Sequence, residues 1–111
     1  MPRPIRAVDI YLPLDYNDGS PIKASKYIPI EDELLSRFGG VTSTQRLFPL
    51  RGLWQSETAV FQDRVVIFSA MDFGDQTEFE RIKYLEQLKV RLKKKFEQLD
   101  ILITVQELTA I

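Results

Sequence analysis

Asp9 and Tyr11 stand two residues apart in IRAVDIYLPL, and a carboxylate beside a phenol is the pair in this chain best placed to move a proton. The alternatives are few. The chain has no histidine and no cysteine, which excludes Ser-His-Asp triads, imidazole acid–base steps, thiolate nucleophiles and His or Cys metal centres. Acid–base work falls to Asp, Glu, Lys and Tyr. A buried carboxylate with a raised pKa can serve as a base. Asp9, Asp63 and Asp72 fall in or near segments that read as strands, and Asp9 beside Tyr11 is the first place to look. Asp72, in DFGDQT, suits the strand-to-helix turn instead. No metal site and no cofactor is expected.

FGGVT, residues 38–42, offers glycine backbones and the Thr42 hydroxyl to an anion. A phosphate loop needs its glycines after a strand and before a helix, so that the helix N-terminus faces the ligand. Here the glycines follow a helical pattern and precede an extended one, so the helix-cap reading is favoured. DYNDGSPIK, after the first strand, has one glycine and no arginine, too little for an acylphosphatase-type anion loop. Arg51 and GLW, residues 52–54, follow. Trp54 either packs in the core or lies on an open sheet face with Tyr11 and Phe61, where it would anchor an interface or wall a pocket. Asp9, Tyr11, Thr42, Arg51, Trp54 and Phe61 are the candidate ligand or interface residues.

Two further motifs weigh less. KVRLKKKF suits a solvated helix face at the negative end of the dipole, interleaved with Leu88, Leu92 and Phe96. IYLPL, with Tyr11 as stacking aromatic, resembles the short first-strand motif of RNA-recognition modules. DRVVIFSAM, however, lacks the Gly-aromatic pair that their third strand carries.

These residues must be positioned by regular elements. Residues 5–14 alternate, with Val8, Ile10, Leu12 and Leu14 on one side. Residues 26–38 carry Tyr27, Ile30, Leu34 and Phe38 at helical spacing, with Pro29 near the start and Gly39 as the cap. VTSTQRLFPLRGLW predicts one edge strand, kinked or bulged at Pro49 and Gly52, and QSET a hairpin turn. Residues 59–71 predict a central strand. Thr77 with Glu80 forms a capping box that opens a helix striped by Phe79, Ile82, Leu85, Leu88, Leu92, Phe96 and Leu99. Residues 101–108 close the chain as a strand. The order β-α-β-β-α-β predicts an α+β, ferredoxin-like fold: one domain over 1–111, with four antiparallel strands and both helices on one face. The other face is left open, and a bare apolar face there would be covered by stacking two copies.

The chain holds 44% hydrophobic residues and a net charge of −1. That supports a core of its own and removes the global attraction that drives nucleic-acid binding. No run is long enough to span a membrane and no signal segment precedes the first strand, so a cytoplasmic setting is expected. FGGVT, GLW, Asp63 and the ending LKKKFEQLDILITVQEL together resemble small bacterial proteins of unassigned function with a ferredoxin-like plan. That resemblance implies the fold and a bacterial cytoplasmic setting, and no catalytic residue. The leading expectation is a non-catalytic interaction or small-ligand-binding module, homodimeric through the open face. The alternative is a cofactor-independent enzyme of the dimeric α/β-barrel type that uses Asp or Tyr in place of His; an RNA-binding module comes third.

Overall fold

Val8, Ile10 and Leu12, alternate residues of the first extended segment, are all fully buried. Their strand, β1 (Arg3–Pro13), lies between β4 and β5 in an antiparallel sheet. The computed structural model describes residues 1–44, 50–74 and 76–111. After β1 come α1 (Ile28–Phe38), β2 (Val41–Ser43), β3 (Leu50–Gln55), β4 (Val60–Asp72), α2 (Glu78–Lys95) and β5 (Ile103–Ala110). Among the described residues the fold is therefore mixed α+β, with two α-helices and one sheet of five strands.

The sheet order is β2–β4–β1–β5, and β3 also pairs with β4. Five strands replace the expected four because the segment read as one kinked strand enters the sheet twice. Val41–Ser43 pairs with Phe68–Ala70, and Leu50–Gln55 pairs with Val60–Val65. β4 spans 13 residues, enough to serve both. The kink expected at Pro49 lies outside the described residues, and Gly52 does not break β3 but pairs opposite Asp63.

The length of β4 has a second consequence. β1 pairs with it from Val65 onward, and the Leu14 N–H reaches the Arg64 carbonyl at 3.0 Å. Beyond that point Val60–Asp63 pair with β3 alone, so Gly52–Gln55 and Val60–Asp63 form a two-stranded ribbon extending past β1. Its turn is the QSET segment: the Ser56 N–H donates to the Ala59 carbonyl (2.8 Å) and the Ala59 N–H to Ser56 Oγ (3.1 Å).

Both helices cover the same sheet face. Pro29 falls in the first turn of α1, where its missing N–H costs no helical bond. The helix starts at Ile28 because Ala24–Lys26 forms a 3-10 turn. Gly39 ends it at φ +85°, its N–H bonded to the Leu35 carbonyl, as the cap reading required. At the start of α2, Thr77 Oγ1 accepts from the Glu80 N–H at 3.1 Å. Ile30, Leu34 and Phe38 of α1 meet Leu85, Leu88 and Leu92 of α2, and Phe96 just after it, over β1 and β4. The expected stripe fails at its ends, where Phe79, Ile82 and Leu99 are exposed. Arg81, not Ile82, turns inward in the first turns and bonds to Asp72. Past Phe96 the backbone leaves helical geometry, with Glu97 at φ +54°, so the spacing no longer positions Leu99.

A polar clamp joins the helices at their outer edge. Arg91 grips Glu33 through two bonds (2.9 and 2.7 Å), and the Tyr84 hydroxyl donates to the same carboxylate. The Arg91 guanidinium, and then the Tyr84 hydroxyl, hold the Glu33 carboxyl down at about 2 against the opposing effect of burial. Burial, and then Glu33 itself, pushes the Tyr84 phenol up. A lowered carboxylate pKa stabilises the fold above the ordinary value of 4.5, and that stabilisation is lost as pH falls through about 2. Glu33→Gln is expected to cost roughly 1–2 kcal/mol at neutral pH, after discounting for solvent screening of the half-exposed Arg91. Urea midpoints of the variant and the natural protein should converge between pH 4.5 and 2. A gap independent of pH would show that the clamp acts through packing.

Candidate functional site

Alternation along each strand sorts the candidate residues by face. Asp9 and Tyr11 of β1, Phe61 and Asp63 of β4, Trp54 of β3 and Thr42 of β2 share the face turned from the helices, linked by the pairs Thr42–Ser69, Asp9–Ser69 and Trp54–Phe61. Arg51 pairs with Arg64 and so alternates to the opposite face, away from the group it was expected to join. Of the two placements weighed for Trp54, the open face is the one observed, since the residue is 41% exposed.

The six do not form one site. Asp9 is half-buried and its Oδ1 accepts from the Ser69 hydroxyl at 2.6 Å, an arrangement internal to the sheet. Thr42 is exposed beside Ser69. Phe61 lines a neighbouring half-open hollow with Tyr16, Arg64 and Asp15, the last two paired at 2.7 Å. Tyr11 and Trp54 do come together. With Pro13, Asp63, Asp100 and Leu102 they line a half-open pocket of about 340 Å³ where the end of β1, the base of the ribbon and the α2–β5 loop meet.

Local chemistry explains each wall. The Tyr11 N–H donates to the Leu102 carbonyl (3.0 Å), which draws the loop against β1. Asp100 accepts from the Ile101 N–H at 2.9 Å and pairs with Lys89 at 3.0 Å. These contacts, Lys89 first, hold its carboxyl below its ordinary value, so it is ionised at neutral pH. Asp63 is exposed and has no hydrogen-bond or ion-pair partner among the described residues. The indole of Trp54 lies back along its own strand over Gly52. A Cβ at residue 52 would meet Nε1 at 3.0 Å and two ring carbons at 3.4 Å. Gly52 is thus explained by the ring it makes room for, and no kink is needed.

Sequence reasoning found Tyr11 and Trp54 and noted Asp63, but missed Pro13, Asp100 and Leu102. Asp100 and Leu102 sit in a loop whose course no periodicity records. The one available signal was an Asp between the helix end and the last strand, a common turn residue. Chemically, the pocket offers two aromatic faces to a flat ring and two carboxylates to a cation or to hydroxyl donors.

No protein-family model and no curated protein matches the chain. Among solved structures it is similar to a phage SAM lyase in complex with S-methyl-5′-thioadenosine, with 15% identity and a TM-score of 0.69, covering 93% of this chain and 81% of that one. A phage SAM lyase in the apo state is similar at 14% identity and a TM-score of 0.68, covering 92% and 79%. At such identities the likeness shows the fold alone. The expectation of a non-catalytic interaction or ligand-binding module is corrected on this finding, since the proteins that share the fold over nearly the whole chain are enzymes.

Proposed function

We propose that the chain is a cofactor-independent enzyme that cleaves a sulfonium nucleoside of the S-adenosylmethionine type, on a ferredoxin-like scaffold whose second strand is divided. The observation that carries this reading is the pairing of Tyr11 and Trp54 with Asp63 and Asp100 in one pocket, on a fold similar to that of a protein solved with S-methyl-5′-thioadenosine. Adenine fits between aromatic walls, as nucleobases do on such platforms. Carboxylates accept hydrogen bonds from ribose hydroxyls and draw in the positive sulfonium and ammonium groups.

The chemistry asks little of the side chains. When the carbon–sulfur bond breaks, its electron pair stays on sulfur, and the thioether leaves neutral. No general acid is needed, so a chain without histidine or cysteine is not handicapped. A lyase adds no water; the carbon left behind bonds to an atom of its own fragment, or a neighbouring carbon gives up a proton. For proton loss, Asp63 and Asp100 are the pocket's bases. Otherwise their task is to bind and orient the cation while the aromatic walls exclude water.

The test is incubation of the purified protein with S-adenosylmethionine, following S-methyl-5′-thioadenosine by chromatography against a protein-free control. Release above the spontaneous rate is expected, together with calorimetric binding of S-methyl-5′-thioadenosine. The absence of both release and binding would overturn the reading.

A further inference from the structure

The polar wall of the pocket carries one sign of charge. Asp63 and Asp100 line it, and among the described residues no lysine or arginine does. The two carboxylates are not equivalent. Asp100 Oδ1 takes both the Ile101 N–H (2.9 Å) and Lys89 Nζ (3.0 Å), so its charge is offset by a cation standing outside the pocket. Asp63 is exposed and has no hydrogen-bond or ion-pair partner among the described residues. Its neighbour Arg64 alternates to the other side of β4 and is taken by Asp15 at 2.9 and 2.7 Å. We infer that Asp63 makes the pocket sort its ligands by charge: it holds a sulfonium nucleoside, releases the uncharged thioether and rejects anionic adenine nucleotides.

This inference rests on the nucleoside reading and adds a rule of selection to it. Tyr11 and Trp54 can stack the adenine of all three ligands alike. The three differ in the charge at the 5′ end. A cation is drawn to the uncompensated carboxylate, a thioether is indifferent to it, and a phosphate is repelled. Water screens an exposed carboxylate, so the preference is moderate. Cleavage leaves the electron pair of the broken carbon–sulfur bond on sulfur and so removes the positive charge that Asp63 attracts. The nucleoside product therefore loses part of its hold in the step that forms it.

Calorimetry on the full chain with three probes tests the rule. They are S-methyl-5′-thioadenosine, the same nucleoside methylated on sulfur to the dimethylsulfonium, and adenosine 5′-monophosphate. The first two differ by one methyl group and one charge. The natural protein is expected to bind the sulfonium about tenfold more tightly than the thioether, and the monophosphate about tenfold less tightly. Asp63→Asn should remove most of that spread, leaving the part that aromatic faces give a cation. Asp100→Asn should narrow it less, because Lys89 already offsets that carboxylate, and Lys89→Met should widen it. Equal affinities for sulfonium and thioether in the natural protein overturn the inference while the nucleoside reading stands. A preference that survives Asp63→Asn, or that only Asp100→Asn abolishes, overturns the assignment to Asp63. Binding of none of the three discards the nucleoside reading and the inference with it. Should Asp63→Asn fail to fold, salt replaces it. At an ionic strength that shortens the Debye length to about 3 Å, the preference of the natural protein for the sulfonium should shrink while the thioether binds as before. A preference indifferent to salt sinks the proposal.

Discussion

Replacing Arg81 with alanine is expected to cost the fold about 3–5 kcal/mol, a large share of a small domain's stability. Arg81 and Asp72 are 4% and 3% exposed, and Arg81 Nε lies 2.6 Å from Asp72 Oδ2. The guanidinium also donates to the Gln76 carbonyl at 3.3 Å, and Asp72 Oδ1 accepts from the Gly74 N–H at 3.0 Å. The pair thus ties the end of β4 to the first turns of α2. Without the guanidinium, the buried Asp72 side chain loses its compensating partner, and that uncompensated desolvation, more than the lost attraction, sets the cost. Arg81→Met combined with Asp72→Asn removes both charges while keeping an oxygen for Gly74. Urea unfolding should show the double variant regaining at least half the loss. A single variant within about 1 kcal/mol of the natural protein, or a double variant no better than the single, would refute the account.

The same pair marks where sequence reasoning failed. Asp72 was legible as a turn residue, since DFGDQT is dense in turn formers. Its partner was not, because an arginine beside an isoleucine in an amphipathic helix reads as the exposed one of the two. The buried cation reverses that order and pushes Ile82 outward. The helix caps, the hairpin turn and the alternation of β1 were readable because each is set by contacts within a few residues. The division of the second strand was not, since it depends on how far β4 extends past β1, a long-range matter that no local pattern encodes.

The candidate site shows a similar division. Period-two alternation placed Tyr11 and Phe61 on a common face, and left Trp54 one choice between core and surface. Face alone did not make a pocket, however. Asp9 shares the face with Tyr11 yet is engaged by Ser69, whereas Asp100 comes from a loop with no period and reaches the wall. The non-catalytic expectation rested on a resemblance that carries no catalytic residue, while the missing histidine and cysteine argued only against particular mechanisms. That argument excludes mechanisms needing an imidazole or a thiolate, and leaves untouched reactions whose leaving group departs neutral.

Trp54→Ala should weaken binding of S-methyl-5′-thioadenosine roughly 10–100-fold, since stacking a base on an aromatic side chain contributes about 1–3 kcal/mol. The fold should lose less than about 1 kcal/mol, because the ring is 41% exposed and belongs to no core cluster. Gly52→Ala isolates position from presence. Its methyl would lie 3.0 Å from the indole Nε1, so the ring must give way by a few tenths of an ångström from its present position in the wall. Alanine is no worse than glycine in a strand, so stability should hold or rise slightly. Affinity should nevertheless fall several-fold, and the emission of Trp54, the chain's single tryptophan, should shift as the ring changes surroundings. Trp54→Phe in the Gly52→Ala background should recover part of the affinity, as the smaller ring tolerates the methyl. If Trp54→Ala binds as well as the natural protein, the aromatic wall is not the nucleoside platform. If Gly52→Ala leaves both emission and affinity unchanged, the indole does not depend on the glycine beneath it, and residue 52 needs another explanation.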